Sequence, residues 1–199
     1  MPFRIGNKLL LGGGLQLTGD GVVSRDQNIP YGDVFLAASP VMPGSVAMYN
    51  IGGGASASLQ ALRFTGTKCT CPITIVRPVP QDAALASGSG TVFMDWTDFT
   101  LNSAVAVVGA SLYLIPNGSA IGDTGTSTLG AAASGTSITG TSASEINSAS
   151  LFQFNQPSTR SGFFALKLIV DSVDAANTSG SNFGLFGLRI RYKSDRIGV

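Results

Sequence analysis

Leu188-Arg189-Ile190-Arg191-Tyr192-Lys193 alternates apolar and cationic side chains without a break. Successive side chains of a β-strand point to opposite sides of its sheet, so this stretch reads as a strand with one buried face and one face turned to solvent or to a partner. Upstream, residues 163–170 form a second run rich in β-formers, and a polar loop over 171–182 joins it to residues 185–192. The chain therefore ends on a pair of strands.

Further upstream the same signals recur. Residues 46–51, 59–64, 69–76 and 91–96 are β-forming runs, most of them bounded by Gly or Pro, and 104–115 is a longer one that stops at the turn Pro116-Asn117-Gly118. No stretch carries a sustained 3.6-residue apolar period, although Ser142 followed by Glu145 has the spacing of a capping box and marks a short helical turn near 142–148. Between 116 and 150, Gly, Ala, Ser and Thr dominate and Gly-Thr-Ser recurs at 125, 135 and 140. Small side chains offer little apolar area against the entropy of ordering, so the expectation is a long surface excursion with short irregular strands. A projecting tip or a surface of close chain approach is the alternative. Residues 1–44 hold Gly12-Gly13-Gly14, Gly19, Gly21, Pro30, Gly32, Pro40, Pro43 and Gly44, too many breakers for a helix or a central strand, and read as an extended arm. The sequence thus predicts an all-β chain: an N-terminal arm over 1–44 and, over 45–199, a jelly-roll-like antiparallel β-sandwich with an excursion at 116–150. Strand order is invisible to periodicity, so other sandwich topologies stay open at this point.

Composition narrows the function. At 199 residues the chain suits one main domain, yet only 12% of residues are charged, about half the usual share, and 44% are hydrophobic. Mean hydropathy is +0.30. So uncharged an exterior fits a subunit that hides much of its surface against copies of itself or a partner. The net charge is +1, and in the first forty residues Arg4, Lys8 and Arg25 balance Asp20, Asp26 and Asp33. Without a Lys/Arg stripe to displace counterions, nucleic acid is not an expected partner. No apolar run approaches the ~20 residues that span a bilayer, so a soluble chain with no membrane partner is expected. Arg4 and Lys8 ahead of Leu9-Leu10-Leu11 outline a signal peptide, but Gly12-Gly13-Gly14 and Gln16 break it early.

Catalytic chemistry lacks its usual parts. The chain has no histidine, which removes Ser-His-Asp and Cys-His activation and the commonest zinc ligand. The nearest carboxylate pairs, Asp95 with Asp98 and Asp171 with Asp174, fit turn and hydrogen-bonding roles better than a sugar-cleaving pair. Cys69 and Cys71, two apart in a strand, share a face; free thiols are expected, with a metal or disulfide shared between subunits as the alternative. Gly12–Gly14 and Gly52–Gly54 lack the Lys-Ser/Thr of a phosphate loop. The oxygen-rich loop 171–182 departs from the EF-hand spacing and reads as a solvated hairpin loop, calcium being the alternative. Trp96 with Phe93 and Phe99 could form a sugar platform, although a lone Trp among alternating apolar residues favours the core. No enzyme, cofactor or metal site is expected.

The Gly/Pro-rich arm, the Ser/Thr/Gly/Ala-rich excursion, the absence of histidine and the closing pair Phe163-Phe164-Ala165-Leu166-Lys167 and Leu188-Arg189-Ile190-Arg191-Tyr192 together resemble the structural proteins of bacteriophage and other virus particles. That resemblance implies a virion location and a capsid decoration or cement subunit, a homo-oligomer with a trimer favoured, packed against other capsid subunits. The arm would add a strand to a neighbour's sheet edge, with Phe3, Ile5, Leu9, Leu10, Leu11, Leu15 and Leu17 as assembly contacts. A major coat protein, or a receptor- or carbohydrate-binding module of a tail or surface appendage using Trp96, Tyr113 or the 116–150 excursion, is the alternative.

Overall fold

The chain is seen in a computed structural model that describes residues 9–11, 15–17, 23–30, 46–51, 59–64, 73–86, 88–119, 127–143, 145–170, 175–179 and 182–195; at 9–11, 15–17, 23, 30, 46–51, 59, 73 and 134 it describes the backbone alone. Its strands are β1 (Leu9–Leu11), β2 (Leu15–Leu17), β3 (Val23–Pro30), β4 (Val46–Ile51), β5 (Leu59–Phe64), β6 (Ile73–Pro78), β7 (Ser89–Asp98), β8 (Val105–Pro116), β9 (Ser127–Thr139), β10 (Asn147–Asn155), β11 (Gly162–Val170) and β12 (Phe183–Ser194).

The alternation at the end of the chain becomes β12. Leu188, Ile190, Tyr192 and Ser194 are buried while Arg189, Arg191 and Lys193 stay accessible. β7 pairs along one side of β12; on the other, β5 meets its first residues at Gly184 and Leu185, and β3 takes over from Gly187 to Ser194. β10 extends this sheet beyond β7, β4 beyond β5, and β2 and β1 beyond β3. A second sheet runs β6-β11-β8-β9. Every pairing in both sheets is antiparallel.

The last eight strands pair as a nested set: β5 with β12, β6 with β11, β7 with β10 and β8 with β9. They sort into two sheets, β5-β12-β7-β10 and β6-β11-β8-β9. This is one long hairpin rolled on itself, the jelly roll, in which each connection from β6 to β12 either crosses between sheets or closes the β8–β9 end. Between the sheets lie Trp96, Phe64, Phe164, Phe183, Leu112, Leu114, Leu166, Leu168 and Leu185, all fully buried. Trp96 stacks on Phe183 at 5.5 Å between ring centroids, and Phe64 meets Phe183 edge-on at 5.4 Å.

Two stretches differ from the composition-based expectation. Residues 23–30, inside the breaker-rich arm, pair with β12 over their whole length, and Ile29 enters the core. The Gly and Pro residues bound this strand instead of preventing it. Within the 116–150 excursion, β9 and the first part of β10 form long strands where short irregular ones were expected. β9 gains its order from the ladder with β8, and from Gly130, where an added Cβ would meet the Gln153 carbonyl oxygen at 2.5 Å, so β10 lies close against it. Gly-Thr-Ser punctuates β9: Ser127 opens it, Gly135 adopts φ +89° at an irregularity, and Gly140 follows its last residue. The expected helical turn at Ser142 is a turn in which Glu145 N–H donates to the Ser142 carbonyl (3.4 Å).

The Trp96 indole N–H has no acceptor among the described residues, so its value lies in volume. Trp96→Ala is expected to cost ~3–5 kcal/mol and Trp96→Phe about half as much, measured by urea denaturation. Equal losses in the two variants would place the contribution in the N–H instead.

Candidate functional site

The two outer faces of the sandwich differ in character. On the larger sheet, Arg189 stands opposite Phe93 on β7 and Arg191 opposite Asp26 on β3. Arg189 donates through Nε and Nη2 to the two Asp95 oxygens (2.8 and 3.0 Å) and through Nη1 to Asp26 (3.3 Å). Arg191 donates through Nε and Nη2 to both Asp26 oxygens (2.8 and 3.1 Å). Both guanidiniums lie over the Phe93 ring, at 5.1 and 4.8 Å. Two arginines and two aspartates balance one another, so these four form a ladder that ties β7, β12 and β3 together, with their charges spent internally, while Lys193 lies beyond it without an acidic partner among the described residues.

At the end of β12, Asp82 accepts from Tyr192 Oη (3.0 Å) and Ser194 Oγ (2.9 Å) and pairs with Arg25 (2.8 Å). Burial, followed by the Asp82 hydrogen bond, pushes the Tyr192 phenol above its usual range. This knot fastens the loop after β6 to β3 and β12.

The sequence candidates separate accordingly. Asp95 belongs to the ladder. Asp98 is buried and accepts from Thr100 N (2.8 Å), Leu101 N (2.6 Å) and Ser179 Oγ (2.5 Å), holding the turn after β7. The two carboxylates therefore hold different parts of the fold and do not face one cleft. Trp96 is core, and Phe93 and Phe99 are covered by Arg189, Arg191 and Arg63, which dissolves the proposed Trp96 platform. In the 171–182 loop, Thr178 Oγ1 accepts from Val105 N (2.8 Å) and Ser179 bonds Asp98; Asp171 and Asp174 lie outside the described residues. Cys69, Cys71, Phe3 and Ile5 also lie outside them. Leu9, Leu10, Leu11, Leu15 and Leu17 sit on the β1–β2 hairpin, whose side chains are not described. Among the described residues no group of His, Cys, Asp and Glu side chains could hold a metal, and no helix is long and apolar enough to cross a membrane.

The smaller sheet presents an apolar exterior that sequence reading did not single out. Cross-strand partners share a face, so Pro78, Phe163 and Ile115 form one row, Val76, Ala165 and Tyr113 the next, and Thr74, Lys167 and Ser111 a third. Val76 is 49% and Phe163 40% exposed. The signal was present in β11: Phe163 and Ile169 sit on the side opposite Phe164, Leu166 and Leu168, so both faces of that strand are largely apolar. Beyond the third row the register of β8 and β9 shifts between Val108 and Ala110. There Gly109, Ala110, Ser111, Ala132, Lys167 and Ile169 line a dent of about 140 Å³. Lys167 has no acidic partner among the described residues.

The fold and these faces define an all-β jelly roll with a self-satisfied polar face and an apolar one. No protein-family model and no curated protein matches the chain. Solved structures with some likeness include the Podospora anserina GH26-CBM35 β-(1,4)-mannanase (11% identity, TM-score 0.41, 88% of this chain and 28% of that chain). Others are the CBM22-1 xylan-binding domain of Paenibacillus barcinonensis Xyn10C (16%, 0.39, 76% and 84%) and the Gt strain of infectious bursal disease virus (13%, 0.31, 85% and 32%). This chain spans about a third or less of the mannanase and viral chains. Likenesses this distant say nothing of what the chain binds.

The Asp26 carboxyl is held below its ordinary 3.8, first by the Arg191 hydrogen bond and further by the charges of Arg191 and Arg189, against the opposing effect of burial. A carboxyl with a lower pKa folded than unfolded adds stability above its unfolded pKa, and loses it as pH falls through the folded value. Below about pH 4 the urea midpoint is therefore expected to fall more steeply in the native chain than in Asp26→Asn. Parallel curves would remove Asp26 from the acid response.

Proposed function

We propose that the protein is a virion structural subunit of the capsid decoration or cement type, acting by intersubunit packing and not by catalysis. The apolar outer face of the smaller sheet carries this reading. A flat surface holding Val76, Phe163, Ile115, Tyr113 and Ile169 is what a chain shows when a partner is meant to cover it. The low share of charged residues supports the same reading, and so does the rigid, internally neutral ladder on the opposite sheet, which leaves one face for association. The β1–β2 leucines are proposed as further contacts at the other end of the larger sheet.

A second reading rests on Tyr113 together with Phe163. Two partly exposed aromatic rings on one flat face, beside the Ser111 hydroxyl and Lys167, could stack sugar rings, making the chain a carbohydrate-binding module.

Replacing Val76 and Phe163 together by Asp separates the two. The native chain is expected to run by light scattering as a multiple of 20.3 kDa, and the double variant to fall toward a single chain with an unchanged circular dichroism spectrum. A native monomer that retains glycans in a binding screen, and loses them in Tyr113→Ala, would reverse the order of the readings.

A further inference from the structure

The dent beside Lys167 adjoins the apolar rows of that face, with Ser111 and the ammonium on one side and Ile169 on the other, and that mixed lining sets what can cover it. Burying a lone ammonium in an interface is unfavourable unless an anion meets it, so the covering group must bring negative charge together with apolar surface. The chain itself displays such a group. Ile146 is 56% exposed, the highest exposure among the large hydrophobic side chains described, and Glu145 stands beside it in the sequence. The Glu145 Oε2 accepts the Thr141 hydroxyl (3.0 Å), and among the described residues it is the exposed carboxylate that no arginine pairs.

Their turn is held firmly for an exposed one. Ala143 N–H donates to Asn102 Oδ1 (2.9 Å), Ser103 N–H to the Thr141 carbonyl (3.1 Å) and Gly140 N–H to the Ala104 carbonyl (2.9 Å), so the turns after β7 and β9 form one tip. The dent lies far from it: ~16 Å of strand separate Ala104 from Gly109 at its near edge, and ~23 Å separate it from Ser111, the cross-strand partner of Lys167, at ~3.3 Å per residue. Glu145 therefore reaches the Lys167 of another copy, not its own.

Resting on the structural-subunit reading, we infer that the tip residues Glu145 and Ile146 of one copy seat in the Gly109–Lys167–Ile169 dent of the next, the carboxylate on the ammonium and Ile146 against Ile169. Such a contact joins two different surfaces of the same chain, head to side. Repeated, it closes into a ring, such as a trimer, or runs on as a lattice.

The test is charge reversal followed by mixing, read by sedimentation velocity on the full chain. Glu145→Lys and Lys167→Glu are each expected to weaken self-association at least tenfold, because each variant places like charges at every contact. An equimolar mixture of the two is expected to reassociate, into mixed pairs at the least, since every contact between unlike variants again pairs opposite charges; an odd-membered ring cannot alternate throughout and stays open. A role confined to folding would not produce recovery on mixing. A cysteine variant makes the result independent of charge: Ile146→Cys with Ile169→Cys, in a chain with Cys69→Ser and Cys71→Ser, is expected to give a ladder of disulfide-linked copies on oxidation. Single variants that associate like the native chain, a mixture that stays apart, or the absence of a ladder each overturns the contact. If the native oligomer still dissociates on replacing Val76 and Phe163, this contact alone fails and the structural-subunit reading stands; a native chain that stays monomeric overturns both.

Discussion

Everything in this fold depends on β12 being shared. It is the last strand in the sequence, yet it takes β7 on one side and both β5 and β3 on the other, so its backbone groups are committed along its length. Its inward residues Leu185, Leu188 and Ile190 lie in the common core. Its outward arginines tie the same neighbours through Asp95 and Asp26. Each ion pair is partly exposed and contributes little alone. Both arginines, however, share one aspartate and one aromatic ring, so the ladder acts as a unit that fixes the registers of β3 and β7 relative to β12. A central strand that reaches the jelly roll last makes closure of the sandwich a long-range event in the chain.

The parts of the fold legible in the sequence were those where side-chain pattern and backbone pairing agree. β12, β7 and β11 carry alternating or continuous apolar runs, and β4 and β5 begin and end where the runs at 46–51 and 59–64 do. The hidden parts were those that owe their order to pairing and close approach. β9 offers Leu129 and Ile138 to the core and otherwise small or polar residues, so apolar area alone argues for a loop. What orders it is the ladder to β8, together with the approach to β10 that Gly130 permits. β3 was hidden for a related reason: Ile29 is its sole described residue in the core, and its place is secured by hydrogen bonds to β12 and by Asp26.

The candidate site was less legible than the fold. Carboxylate pairs and aromatic clusters drew notice as sequence neighbours, but strand alternation sends neighbours to opposite faces. Asp95 joined Arg189 outside while Trp96 went into the core, and Asp98 turned to cap its own turn. The apolar outer face is assembled from β6, β11 and β8, whose members Val76, Phe163 and Ile115 are far apart in sequence and come together only through register. β11 alone hints at it, with apolar residues on both sides, but the surface itself exists only at the level of the sheet.

The small residues that concealed β9 are also what shapes that surface. Where β8 and β9 slip register, Gly109 and Ala132 supply no bulk, and Gly135 takes the left-handed backbone that lets β9 recover its pairing at Thr136. Larger side chains there would fill the dent and leave Lys167 standing on a flat wall. A composition that reads as loop is thus the condition for a concave feature on an otherwise planar sheet. Concavity is also what makes a contact between unlike surfaces selective, because a projecting turn can enter a dent while two flat faces can slide. The excess of Gly, Ala, Ser and Thr between 116 and 150 is therefore a property of the surface as much as of the strand.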